Sequence, residues 1–371
     1  MKIGILTLQS GANYGGTLQC YALSETLKSF GHEAFVINFK PNKIAPFWKG
    51  LLLAVTCCRS ILDIKALISR ATANKADTPT IDKNLEHIFD AFRSENMCLT
   101  EQVNEITIKN IVNSFDAIVI GSDQVWGSFV RDELTYFGDF GCDYTGKLVS
   151  YAACAPNIKY PIIRRNKLSK LFKRFQCISV RDSVTAKLVK NISNLDVPVV
   201  LDPTIIYSFS KREEFKSPLS QPYILFYTLG KDISGGNIQA ASILRRKFEG
   251  KVQIIAVNIY GESLKFADKT LNDVEPFQWI GLLANASLVF TDSFHASVFA
   301  TKYRVPVIAY YSEENRASRL IDFFKCTGLY DYLVSDTEML ETALASIKRQ
   351  YESYISPNLH NSIQYLKEAL T

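Results

Sequence analysis

His295, one of four histidines, stands where an apolar β-prone run, Leu288 to Thr291, meets a helix-compatible stretch from about Phe294 to Tyr303. An imidazole titrates near neutral pH, so a ring in that place suits proton transfer or anion binding. The unpaired N–H groups of a helix start would favour an anion beside it. The plainer reading is a helix-start side chain bonded to a nearby carbonyl. Arg181 closes a second apolar run, Cys177 to Val180. A planar guanidinium there could grip a carboxylate or phosphate through two hydrogen bonds, or it could pair with Asp182 or another neighbouring acid. Asp123 ends a third run, Ala117 to Ser122, where a carboxylate serves as a base, a partner for sugar hydroxyls or a helix cap. Gln124 and Trp126 beside it suit a sugar, because carbohydrate faces stack on indole, although Trp126 fits a core equally well.

A fourth group lies near the start of the chain, in Gln9-Ser-Gly-Ala-Asn-Tyr-Gly-Gly16. Its glycines do not spell the dinucleotide fingerprint, and Asn38-Phe39-Lys40 stands where an acidic ribose partner would end the second strand. Either the glycines only permit a tight turn, or Asn13, Gly15 and Gly16 bring backbone N–H groups to an anion or a sugar. Arg316 and Arg319 follow the His295 unit, as further cations for such a site or as a solvated helix face. Asp202, before Pro203, reads as structural.

The elements that must position these residues alternate in type. Ile3 to Leu8 and Glu33 to Phe39 read as strands flanking a helix from Thr17 to Phe30. Strands follow at Asp116 to Gly121, Lys147 to Cys154, Cys177 to Val180 and Val197 to Leu201, with helices between most of them. Residues 207–221 form a polar, proline-containing linker. A second series runs through strands Pro222 to Leu229 and Val252 to Ile259, helices Gly236 to Phe248 and Pro276 to Asn285, and the His295 unit with its following strand, Val305 to Tyr310. The pattern predicts an α/β protein of two Rossmann-like doubly wound domains, residues 1–206 and 222–371, facing a central cleft. Residues 41–110 form an irregular helical insertion. They read either as a cover for the sheet or as an acceptor-binding flap, with residues 46–70 touching a membrane surface peripherally.

Composition narrows the class. The 371 residues are 47 % hydrophobic and 21 % charged, as in a well-packed globular chain of two domains. A net charge of +5 suits an anionic small molecule or an anionic membrane surface and gives no support for nucleic acid. The eight cysteines show no C-x-x-C pair and no Cys/His clustering, so no metal site is expected, and they read as reduced thiols of a cytoplasmic protein.

Several motifs taken together resemble the polysaccharide pyruvyl transferases. They are Asn13-Tyr-Gly-Gly16 with Leu18-Gln19 and Tyr21-Ala-Leu23, Asp116-Ala-Ile-Val-Ile-Gly-Ser-Asp-Gln-Val-Trp126, Ser150-Tyr-Ala-Ala153, Ile178-Ser-Val-Arg-Asp182, Leu201-Asp-Pro-Thr204 and Thr291-Asp-Ser-Phe-His295. Arg319-Leu-Ile and Thr327-Gly-Leu329 complete the set, which runs in the family's order and is poorest over residues 41–100. The resemblance implies a fold like that of the GT-B glycosyltransferases. It also implies transfer of a pyruvyl group from phosphoenolpyruvate to sugar hydroxyls as a ketal, in making a cell-surface polysaccharide such as an exopolysaccharide or capsule, with no cofactor. The acceptor would be a sugar, free, lipid-linked or nucleotide-linked.

On that reading His295 and Asp123 are catalytic, as acid and hydroxyl base. Arg181, Ser293, Phe294, Asn13, Gly15, Gly16, Arg316 and Arg319 bind the donor, and Gln124 and Trp126 bind the acceptor. Other branches of the family carry Arg-Leu-His where this chain has Ser293-Phe294-His295, so either another cation balances the donor's charge or the donor differs. The competing readings are a GT-B glycosyltransferase using a nucleotide sugar and a non-catalytic carbohydrate-binding protein on the same fold.

Overall fold

Apolar runs that do not alternate with polar residues build both sheets, as expected of parallel strands covered on both faces. The computed structural model describes residues 1–41, 80–127, 134–155, 160, 162–209, 219–312, 314–347 and 358–371. The first sheet holds β1 (Lys2–Leu6), β2 (Glu33–Val36), β3 (Ala117–Ile120), β4 (Lys147–Ala153) and β5 (Cys177–Val180) in the order β2-β1-β3-β4-β5, all parallel. The second holds β6 (Tyr223–Tyr227), β7 (Gln253–Val257), β8 (Lys269–Leu271), β9 (Leu288–Thr291), β10 (Val307–Tyr310) and β11 (Leu333–Val334) in the order β11-β10-β9-β6-β7-β8, again all parallel. In each sheet the strand order reverses once, between β1 and β3 and between β6 and β9. Open α/β sheets bind ligands in the crevice at such a reversal, outside the carboxyl ends of the strands.

The helices α1 (Tyr14–Ser29), α2 (Lys83–Asn96), α3 (Ile162–Phe172), α4 (Ser183–Ser193) and the single turn α5 (Pro203–Ile206) accompany the first sheet. Those of the second are α6 (Asn237–Lys247), α7 (Pro276–Ala284), α8 (Phe294–Lys302), α9 (Glu314–Cys326) and α10 (Thr337–Ala345); α11 (Leu359–Leu370) ends the chain. Two expectations change here. Helix α1 starts one turn earlier than Thr17, because Asn13 caps it with Oδ1 accepting the Gly16 N–H at 3.0 Å. Gly15 and Gly16 are therefore helical, not loop, residues. The run Val197 to Leu201 makes only an isolated bridge, Val180 to Val199. Pro198 and Pro203 lack the N–H groups a further ladder needs, and Asp202 turns the chain into α5 instead.

One continuous core runs through both halves. The Tyr14 ring at the start of α1 stacks on Trp279 of α7 at 4.9 Å, and its hydroxyl donates to the Val274 carbonyl at 2.6 Å. Lys302, at the end of α8, reaches back to the carbonyls of Thr204 and Ile205 at 2.9 and 3.0 Å. Helix α11 lies within residues 222–371, yet it packs on the first half. Ser362 Oγ accepts the Leu201 N–H at 3.0 Å, and the Lys367 ammonium sits 5.0 Å above the Phe30 ring. Within the expected insertion, α2 is capped by Asp82 and buries Leu85, Phe89 and Phe92. The proposed membrane contact of residues 46–70 and most of the 207–221 linker lie outside the described residues.

Candidate active site

The two strand-order reversals face each other, and a cavity of about 270 Å³ opens between them. The first half contributes Asn13 and Gly15 after β1 and Asp123 and Gln124 after β3. The second contributes Leu229 and Gly230 after β6, Asp292 to His295 after β9, and Arg319 of α9. The first turns of α1 and α8 therefore both border the cavity, where their free N–H groups favour an anion.

His295 crosses the divide between the halves. Its ring lies against the backbone of Gly15, where a Cβ would come within 2.1 Å of Nδ1. Only glycine leaves room for the imidazole there. Nε2 points at Asp202 Oδ2 from 3.5 Å, an electrostatic contact rather than a formed hydrogen bond, and has no hydrogen-bond partner among the described residues. The Phe294 ring meets the imidazole edge-on at 5.1 Å. Ser293 caps α8, its Oγ accepting the Ala296 N–H at 3.3 Å.

Asp202 is the centre of a buried network. Its Oδ1 caps α5 through the Thr204 N–H at 3.0 Å and hydroxyl at 2.7 Å. Its Oδ2 accepts from Arg181 Nη1 at 2.6 Å and Ser122 Oγ at 3.1 Å and faces His295. Burial works to raise the Asp202 pKa. The charge of His295, then Arg181 and the Thr204 N–H outweigh it and hold the carboxyl well below its ordinary range. The sequence reading of Asp202 as structural misses this link to His295, which arises only when the second half folds onto the first.

Arg181 differs from expectation. Its other terminal nitrogen holds Asp123 Oδ1 at 3.1 Å, so both ends of the guanidinium are taken by carboxylates, and the side chain is 3 % exposed. The guanidinium carbon lies 4.7 Å from the Phe294 ring centre. The residue thus holds Asp123 and Asp202 together. Asp123 is correspondingly a poor base. Burial raises its pKa, but Arg181, His295 and Arg319 outweigh that and lower it. Asp123 also sits at φ 70°, in the left-handed region, where the turn after β3 aims its side chain into the cleft.

Among the described residues, Arg319 is the arginine that lines the cavity. It is 25 % exposed and lies 3.9 Å from Asp123 Oδ1. The Gln124 amide, with its oxygen turned to the guanidinium, accepts from Nη2 at 2.9 Å and Nε at 3.3 Å. Arg316 falls in the first turn of α9, with its side chain outside the described residues. Trp126 is corrected outright. Its indole is fully buried, stacks on Phe137 at 5.5 Å and donates its N–H to the Tyr136 carbonyl at 2.9 Å, leaving no face for a sugar.

Two residues not singled out in the sequence also shape the site. Arg93 of α2, 4 % exposed, donates to the carbonyls of Gln9 and Gly11 at 3.1 and 2.9 Å and fixes the loop that leads into α1. Asp292 lines the cavity and accepts the N–H groups of Leu229 and Gly230, each at 2.7 Å. A larger cavity of about 400 Å³ lies behind Phe294 and Arg319, walled by Val199, Leu201, Ile205 and Phe323. Its lining includes neither His295 nor the start of α1.

No helix among the described residues is long and apolar enough to cross a membrane. No curated protein sequence matches the chain. Solved structures similar to it include UDP-GlcNAc 2-epimerase from Neisseria meningitidis bound to UDP-GlcNAc, 10 % identical with a TM-score of 0.54, covering 100 % of this chain and 99 % of that one. The UDP-GlcNAc 2-epimerase of Methanocaldococcus jannaschii gives 12 % identity and a TM-score of 0.52, with 99 % of each chain covered. The S. aureus MnaA–UDP structure gives 12 % and 0.51, covering 100 % and 98 %. At such identities the likeness is one of fold, and that fold is GT-B. The family model for polysaccharide pyruvyl transferase matches residues 13–314, from the cap of α1 through the first residue of α9. The chain belongs to the polysaccharide pyruvyl transferase family.

Proposed function

We propose that the chain transfers the pyruvyl group of phosphoenolpyruvate to two hydroxyls of a sugar, in a cell-surface polysaccharide or its precursor, as a ketal. The observation that carries this reading is the meeting of His295, Arg319 and the first turns of α1 and α8 in one cavity. The donor brings a phosphate and a carboxylate, and these groups match both anions. The start of α1, with Asn13 and Gly15, and the start of α8, behind Ser293, supply N–H groups. Arg319 supplies the charge that an arginine at Ser293 would otherwise bring.

His295 gives its proton to the donor's methylene carbon. The electron pair of the double bond takes that proton, and positive charge develops on the enol carbon, stabilised by the adjoining oxygen. Asp202, whose carboxyl is held well below its ordinary range, faces Nε2 from 3.5 Å and orients the ring. A sugar hydroxyl attacks the carbon and loses its proton, the C–O bond to phosphate breaks, and a second hydroxyl closes the ketal. Of the two hydroxyl protons, one restores the imidazolium and one leaves with hydrogen phosphate. Arg181 and Asp123 act by holding Asp202 and Arg319 in place. The free thiols among the described residues suit the cytoplasmic compartment expected from sequence, where the acceptor is a lipid-linked or nucleotide-linked sugar.

Phosphate release from phosphoenolpyruvate is measured with a panel of sugar acceptors, for the wild type and for His295→Gln. Acceptor-dependent release that falls by about 100-fold or more in the variant is expected, the scale of general acid catalysis. Binding to nucleotide sugars with no response to phosphoenolpyruvate would overturn the proposal.

A further inference from the structure

The cavity contains two carboxylates in opposite surroundings, and the mechanism above leaves the hydroxyl base unassigned. Asp123 is tied to Arg181 at 3.1 Å with Arg319 at 3.9 Å. Asp292 lines the same cavity from the end of β9, three residues before His295, and no cation pairs with it among the described residues. Its carboxylate is aimed by two backbone N–H groups, Leu229 to Oδ1 and Gly230 to Oδ2, each at 2.7 Å. These bonds span the strand-order reversal between β6 and β9. The approach is close, since a Cβ at Gly230 would come within 2.9 Å of Oδ2.

We infer that Asp292 is the general base that takes the proton of the attacking acceptor hydroxyl. This rests on the reading of the site as a pyruvyl transfer centre. Each Asp292 oxygen accepts one N–H and retains acceptor capacity for a substrate hydroxyl. As the sugar oxygen bonds to the enol carbon, its O–H bond breaks, the electron pair stays on oxygen, and the proton passes to the carboxylate and from there to the departing phosphate. The titratable groups facing Asp292 are the phenols of Tyr227 on β6, Tyr260 after β7 and Tyr310 on β10, with His295 on α8 in the same cavity. Burial raises the Asp292 pKa while its backbone N–H partners work against the rise, whereas Asp123 is lowered. Two acids pushed apart in this way divide into a proton acceptor and a fixed charge.

The test compares wild type, Asp292→Asn and Asp292→Ala, each checked by circular dichroism. Phosphoenolpyruvate affinity, acceptor-dependent phosphate release and its pH profile are measured. The expected result is donor affinity within about threefold of wild type, a rate lower by about 10²–10⁴-fold, and loss of the acidic limb of the profile. Added formate should partly restore the alanine variant. Transfer within threefold of wild type in Asp292→Asn would overturn the assignment while leaving the pyruvyl transfer reading intact. Donor affinity falling in step with rate, without formate rescue, would also overturn it and make Asp292 a brace for the β6 loop. A wild type that binds no phosphoenolpyruvate would remove the donor reading itself, and the base with it.

Discussion

The imidazole of His295 occupies the space that a side chain on Gly15 would need, with Nδ1 only 2.1 Å from where its Cβ would stand. The glycine belongs to the first turn of α1 and the histidine to the first turn of α8, so the contact joins the two halves at the cavity. Gly15→Ala should displace the ring from Asp202 or part the two helices. The expected cost is about 1–3 kcal/mol of stability from overpacking, with transfer falling at least tenfold. Melting curves and transfer assays on the same preparation check both.

Arg181 should behave as a structural residue. Replacing it with methionine leaves Asp123 and Asp202 buried without their shared partner, and breaking such a buried pair costs about 3–5 kcal/mol. Denaturant unfolding of Arg181→Met should show that loss. A merely weakened donor affinity on a fully stable fold would contradict the network described above.

Arg319 should show the opposite balance. It is 25 % exposed, and its removal strips a charge from the cavity without opening the core. Arg319→Met should leave stability within about 1 kcal/mol, because its contact with Asp123 is long at 3.9 Å and Arg181 still holds that carboxylate. Its donor affinity should drop by about 10- to 100-fold, equivalent to a charge-assisted hydrogen bond of about 1.5–3 kcal/mol. Titration with phosphoenolpyruvate measures it.

Acid should destabilise the protein through Asp123 and Asp202, both of which are lowered in the fold. A lowered acid contributes stability that is fully present above its unfolded value, near 3.9, and is lost as pH falls through the folded value. Asp292, raised by burial, works against this just above the ordinary aspartate range, where protonation favours the fold. Unfolding free energy should therefore change little down to about pH 5 and fall steeply below about pH 4, less steeply in Asp202→Asn.

Trp126→Phe should leave the acceptor KM unchanged, since the indole lies in the core. It should cost about 1–3 kcal/mol, because it removes the buried indole hydrogen bond to the Tyr136 carbonyl. A raised acceptor KM on a stable fold would restore the sugar-stacking role.

What the residues alone determined was the succession of strands and helices. Apolar runs such as Ala117–Ile120, Cys177–Val180 and Leu288–Thr291 are short, unbroken and bounded by polar turns, so local chemistry marks them as buried parallel strands. The strand ends that carry Asp123 and His295 follow directly, and so do the two halves and the cleft. Tertiary structure alone decided which charges are free. Arg181, Asp123, Asp202 and His295 are separated by up to 172 positions, and their pairing depends on how the second half sits on the first. Nothing in the sequence neighbours of Arg181 shows that its guanidinium holds two carboxylates together. Asp292 was legible only as part of a motif, and its distinction from Asp123 comes from the backbone N–H groups that hold it, with no cation paired to it among the described residues. Local sequence sets backbone preference, whereas the pairing of buried charges is a long-range property of the fold.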